Sequence, residues 1–215
     1  MRSPTMAGVL RASSIAIAAL AAAALGGCGS SSHSSSNAAS GSTSAPSSGS
    51  AGAGALSAEA KSAATGDIKD TQAFVLFHNP LTGYSIKYPE GWTQKGSGPD
   101  VSFSDKNNIV RITVGSGGPP STTSLAAELT RLKATSPTLT FQSPMPIRVT
   151  AGPAIKATYT TLSAPNAVTG KSVQLIVDRY ELAHGGKRLT VDLGTAKGVD
   201  NVDAYRMMIN SFGWQ

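Results

Sequence analysis

With a single cysteine, Cys28, in 215 residues, the chain has no partner for an intramolecular disulfide and no thiol set for a structural zinc site. Histidine is almost as scarce. Only His33, His78 and His184 occur, which leaves little from which to build an imidazole cluster. Aromatic residues make up 6% and charged residues 14%, against the roughly 25% charge of an average globular chain. The shortage is uneven, because the first 66 residues are nearly all Ala, Ser and Gly while the remainder has an ordinary composition. No run of Lys or Arg exceeds two residues, and from Asp67 onward 15 basic residues face 11 acidic ones, spread along the chain. A nucleic-acid partner calls for a clustered basic patch with aromatic companions, so that class is excluded.

Catalytic signatures are missing too. The chain carries no G-x-S-x-G elbow, no H-E-x-x-H helix and no dinucleotide glycine fingerprint. Gly170-Lys171-Ser172 has the ending of a phosphate-binding loop, but Pro165 stands where the first glycine belongs and a strand pattern follows. Asp100, Asp105 and Asn107 lie close in sequence without calcium-loop spacing or its terminal Glu, which reads as loop capping. A pairing of His78 or His184 with Asp178 or Asp192 would need the fold to join them. The expectation is therefore no enzyme, no metal and no cofactor.

What the chain does have begins at its N-terminus. Arg2 and Arg11 precede an apolar stretch from Ala12 to Leu25, shorter than the ~20 residues of a spanning helix. The stretch ends in Leu25-Gly26-Gly27-Cys28, which closely resembles the bacterial lipobox. That resemblance implies a signal peptide over 1–27, cleavage before Cys28, and diacylglycerol with palmitate-type acyl chains on Cys28. It places the protein on the extracytoplasmic face of the cell membrane. Two or more acyl chains suffice for stable anchoring, and a thiol is the nucleophile such alkylation needs.

Gly29 to Gly66 holds 14 Ser, 10 Ala and 6 Gly in 38 residues, with Leu56 its only large aliphatic side chain. Such a segment cannot bury enough apolar surface to offset its ordering entropy. It reads as a disordered tether of roughly 35 Å root-mean-square span. His33 lies among its serines as a solvated side chain.

Residues 67–215 read as one α+β domain. Period-two alternation recurs in Tyr84–Tyr88, Val101–Phe103, Val110–Val114, Ile147–Val149, Ile155–Tyr159, Val173–Val177 and Leu189–Leu193. His184-Gly185-Gly186-Lys187 and Asp105 to Asn108 read as hairpin turns. Leu125, Leu129 and Leu132 mark a helix capped within residues 121–124 and stopped at Pro137. Val202, Tyr205, Ile209 and Phe212 mark a second helix, with Asp200 as its N-cap.

Gly83-Tyr84-Ser85-Ile86-Lys87-Tyr88-Pro89-Glu90-Gly91-Trp92 resembles the opening motif of the PsbP-like family, relatives of an extrinsic photosystem II subunit that include many exported bacterial lipoproteins. The resemblance runs over about residues 74–213. It implies an α-β-α sandwich, an antiparallel sheet flanked by helices, and mostly non-enzymatic binding or assembly roles. A photosynthetic role does not carry over, because lipobox and tether differ from the photosystem subunit. Tyr84, Tyr88 and Trp92 read as core or core-rim residues.

The expected function is a lipid-anchored extracytoplasmic binding or assembly module, with an envelope protein or a small ligand in a cleft as partner. A carrier of lipid or another apolar molecule is the alternative, needing an apolar cavity to which Leu125, Leu129, Met207 and Met208 contribute. A hydrolase with an unrecognised site is the third reading.

Overall fold

The computed structural model describes residues 65–166 and 168–215. Cys28, Leu25, Gly26, Gly27 and the expected signal peptide lie outside them. Thirteen elements follow in order: β1 (Phe74–Asn79), β2 (Tyr84–Pro89), β3 (Thr93–Ser97), β4 (Asp100–Asp105), β5 (Asn108–Ser116), α1 (Thr122–Thr135), β6 (Thr140–Phe141), β7 (Met145–Val149), β8 (Gly152–Leu162), β9 (Gln174–His184), β10 (Lys187–Ala196), α2 (Val202–Ser211) and β11 (Gly213–Trp214).

Every pairing is antiparallel. Eight strands form one sheet in the order β3-β4-β5-β10-β9-β8-β6, with β7 also on β8, and β1-β2-β11 form a second. Turn chemistry sets the register. Gly185 and Gly186 take positive φ angles of 56° and 77° between β9 and β10, a conformation glycine adopts without strain. Ser121 caps α1 reciprocally with Ser124, and Ser136 ends it before Pro137.

The helix-flanked sandwich expected from the family resemblance is not what the chain builds. One face of the large sheet presents Val110, Ile112, Val114, Leu189, Val191 and Leu193, all within 8% exposure. Its layer is a second sheet together with α2, whose Tyr205, Met208 and Ile209, with Phe212 just past its end, join Tyr84 and Ile86 of β2 in this main core. The physical reason is width. Seven strands side by side at about 4.8 Å make the sheet about 29 Å across, whereas the ten residues of α2 give a helix about 15 Å long. The opposite face is covered by α1 only over β8 and β9, where Leu125 and Leu129 meet Ala157, Tyr159, Leu175 and Val177.

Two details of the second helix also depart from expectation. Its N-cap is Asn201 rather than Asp200, and Val202 is 59% exposed, its place on the buried stripe taken by Met208. The motif aromatics do pack. Tyr84 is fully buried, Tyr88 stacks on Phe103 at 4.0 Å, and Trp92 lies half-buried against the main core after the Pro89–Gly91 turn.

Candidate functional site

Asn201 lies at the edge of a hollow between the start of the domain and α2. It is 3% exposed, and its Oδ1 accepts from the Ile68 amide at 2.8 Å. Its Nδ2 lies within hydrogen-bond distance of the Gly66 carbonyl, Asn108 Oδ1 and Thr195 Oγ1. Asn108 Nδ2 donates to the same Gly66 carbonyl. This polar knot pins the chain entering the domain against the N-terminus of α2 and the end of β10. A buried amide with every partner in place is worth keeping, because each orphaned partner costs its full desolvation.

Beyond the knot the chain runs from Asp67 to Thr71 and enters β1 at Phe74. Between this run and α2 lies a cleft of about 670 Å³. Ile68, Phe74, Ala204 and Met207 supply its apolar lining; Asp67, Asp70, Asp200 and Asp203 supply carboxylates, and Lys69 one ammonium. Asp203 is paired with Arg206 at 3.0 Å, and Asp200 accepts from the Val202 amide, so both also serve the first turn of α2. Met207 is 40% exposed.

A second polar centre lies beneath α1. Arg179 of β9 is 8% exposed and grips Asp192 of β10 through two bonds of 2.7 Å, while its Nη1 donates to Glu128 of α1. Burial alone would lower the pKa of Arg179, but the bonds to Asp192 more than reverse this. Next along β9, Glu181 is wholly buried, and neither carboxylate oxygen has a hydrogen-bond partner. Desolvation, then the neighbouring Glu128, push its pKa up to about 7, against the weaker pull of Arg188 and Arg179. Arg188 stands 3.9 Å away and also donates to the Gly118 and Pro119 carbonyls ahead of α1.

The structure disperses the sequence-level candidates for chemistry. Asp192 is committed to Arg179, and Asp178 to Lys156 and Thr158. His184 stacks on Trp214 and His78 bonds Gln215, so neither histidine meets those aspartates. Asp100 opens β4 against Arg111 and Asp105 closes it beside Lys106, at opposite ends of the strand. Among the described residues no group of three His, Cys, Asp or Glu could hold a metal. Leu125 and Leu129 are sealed in the cluster under α1, Met208 in the main core, and Met207 faces the cleft. The four residues of the carrier reading thus share no cavity.

The cleft residues were missed from sequence, since its walls lie about 130 positions apart. The available signal was two aspartate pairs at i,i+3 spacing, 67/70 and 200/203, in a domain of opposite net charge.

No family model matches the chain, and no curated protein does. Among solved structures, it is similar to a Bacteroides thetaiotaomicron protein at 14% identity, with a TM-score of 0.42 over 65% of this chain and 48% of that one. It is also similar to the Saccharomyces cerevisiae Ran-binding protein Mog1p at 8% identity, with a TM-score of 0.43 over 66% of this chain and 95% of that one. Both likenesses are partial. The solution structure of cyanobacterial PsbP (CyanoP) from Synechocystis matches 70% of this chain and 98% of its own at 17% identity, with a TM-score of 0.51. The chain therefore carries a PsbP-like fold.

Proposed function

We propose that the protein is a lipid-anchored, non-enzymatic binding or assembly module on the extracytoplasmic face of the bacterial cell membrane, and that its partner docks in the cleft between residues 67–74 and α2. The cleft is the observation that carries the binding half. At about 670 Å³ it falls within the size range of ligand sites, and it joins an apolar lining to a few polar groups, as such sites do. Its lining offers no histidine or cysteine. The PsbP-like fold is compatible with this reading and adds no ligand of its own.

The anchoring half rests on Leu25-Gly26-Gly27-Cys28. Acylated Cys28 holds the chain to the bilayer, and the Ser/Ala/Gly-rich segment from Gly29 up to the clasped Gly66 lets the domain reach partners roughly 35 Å away. Detergent phase separation of cell extracts tests it. The wild-type chain should enter the detergent phase, and Cys28→Ala should stay aqueous or accumulate uncleaved. Equal partitioning would overturn the anchor. A photo-crosslinker placed at position 207 of the full chain in cells tests the binding half, which fails if no adduct forms.

A further inference from the structure

We infer that α1 is a proton-operated flap over β8 and β9, latched by the carboxyl pair of Glu128 on the helix and Glu181 beneath it while the two share one proton, and released to open locally when that proton leaves. The inference is independent of the cleft and of what binds there.

The charges beneath α1 carry it. Glu181 is wholly buried, and among the described residues no donor reaches either of its oxygens. The side chain beside it is Glu128 of α1, a second carboxyl. Two carboxyls form a hydrogen bond only when one of them keeps its proton, and two carboxylates repel. The surrounding cations do not offset a second carboxylate. Arg179 of β9 is already committed, through two bonds of 2.7 Å to Asp192 of β10 and a third to Glu128. Arg188 of β10 stands 3.9 Å away, beyond hydrogen-bond reach, and also donates to the Gly118 and Pro119 carbonyls. On β8, Ile155 pairs with Glu181, Tyr159 lies under the Arg179 guanidinium, and Lys156 bridges Asp178 on the opposite face of the sheet. Glu128, Glu181 and Asp192 thus face Arg179 and Arg188. One proton on the Glu pair makes the group neutral; its loss leaves a net negative charge under the helix, where desolvation makes it costly.

The helix is able to answer that charge by moving. Leu125 and Leu129 are its only buried residues. The main core lies on the other face of the large sheet and includes no residue of α1. Gly117 and Gly118 lead into the helix, and a side chain at Gly118 would have open space around it. A segment held by few apolar contacts opens at far lower cost than the whole domain. Closed, the Glu181 carboxyl has its pKa pushed up to about 7, by burial first and Glu128 second; open and hydrated, it returns toward 4.5. The closed form therefore binds the proton more tightly. Its advantage is complete below pH 4.5 and is lost as pH rises to about 7.

The test is hydrogen–deuterium exchange of the full chain in detergent micelles, read by mass spectrometry and corrected for the intrinsic exchange rate at each pH. Linkage makes the open fraction rise by up to about 300-fold over the whole titration, of which about 20-fold falls between roughly pH 5.5 and 7.5. Protection of the α1 amides should drop by about that factor, while β5 and β10 stay protected. Glu181→Gln should abolish the pH dependence. Glu128→Gln should shrink it several-fold, whatever its effect on the starting level through the lost bond to Arg179, because the slope with pH is what reports the shared proton. Circular dichroism checks that both variants fold, and the wild-type series stands without them. Three results would each overturn the inference: α1 protection that does not change with pH, an equal loss in β5 and β10, which makes the opening global, or a pH dependence that survives in Glu181→Gln.

Discussion

Glu181 is the residue whose substitution speaks most directly to the physics of this fold. Its carboxyl is wholly buried between β9 and α1 with both oxygens unbonded. Burial and the adjacent Glu128 raise its pKa from 4.5 to about 7, with Arg188 at 3.9 Å and Arg179 opposing. The sign follows from linkage. The folded chain holds this proton more tightly than the unfolded chain, so the stabilisation is complete below pH 4.5 and is lost as pH rises toward 7. A shift of that size corresponds to up to about 3 kcal/mol. Glu181→Gln keeps the shape and removes the titration. Whatever offset the amide introduces by itself, the stability gap between variant and wild type should grow in the variant's favour by up to about 3 kcal/mol from pH 4.5 to 8, or about 6–12 °C in melting temperature. Paired thermal melts by circular dichroism across that range read it. Parallel curves for the two proteins would show that Glu181 ionises normally and that the carboxyl is hydrated or paired.

Other perturbations test the core and the site. Asn201→Ala should lower stability by about 2–4 kcal/mol in a denaturant titration, because it orphans the Ile68 amide and strips partners from Asn108 and Thr195. The same change should loosen residues 66–68, raising amide exchange there well above that of β9. Trp92→Ala should cost about 2 kcal/mol, below the 3–5 kcal/mol of a fully buried aromatic, since Trp92 only leans on the main core; a melt shifted by less than a degree would place it in solvent. Chelator should leave the unfolding transition unmoved, because among the described residues no metal-binding group is present, and a lowered midpoint would reveal one.

The strands and turns were legible because their signals are local. Alternation in Tyr84–Tyr88 and Val110–Val114, the Gly185-Gly186 turn and a cap within residues 121–124 each specify a conformation within a few residues, and each formed as read, the cap at Ser121. The layer arrangement was not local. Phe74–Asn79 ends in a turn signal and alternates poorly, so β1 was invisible, and with it the second sheet that displaces the flanking-helix architecture. β9 hid its importance for a related reason. Tyr180 and Leu182 face the main core, while Arg179 and Glu181 are buried on the other side, so both faces are filled and the binary pattern breaks down. Charged residues inside a strand are ordinarily read as its solvent face, and only α1, arriving from 50 positions upstream, turns them into a buried network.

The cleft shows the same limit at the level of function. Asp67 and Asp70 look like a polar lead-in at the start of the domain, and Asp200 and Asp203 like ordinary first-turn charges of a helix; each pair has a sufficient local explanation. Their common place in one cleft lining arises only when Asn201 draws Gly66 and Ile68 against α2. Asn201 thus has two duties, capping position and clasp, and its hydrogen bonds serve the clasp, since no side-chain bond to the helix backbone is made. A residue at the N-cap that does not cap has another structural constraint acting on it. Here that constraint is the clasp on Gly66 and Ile68, which holds the entry to the domain against the start of α2.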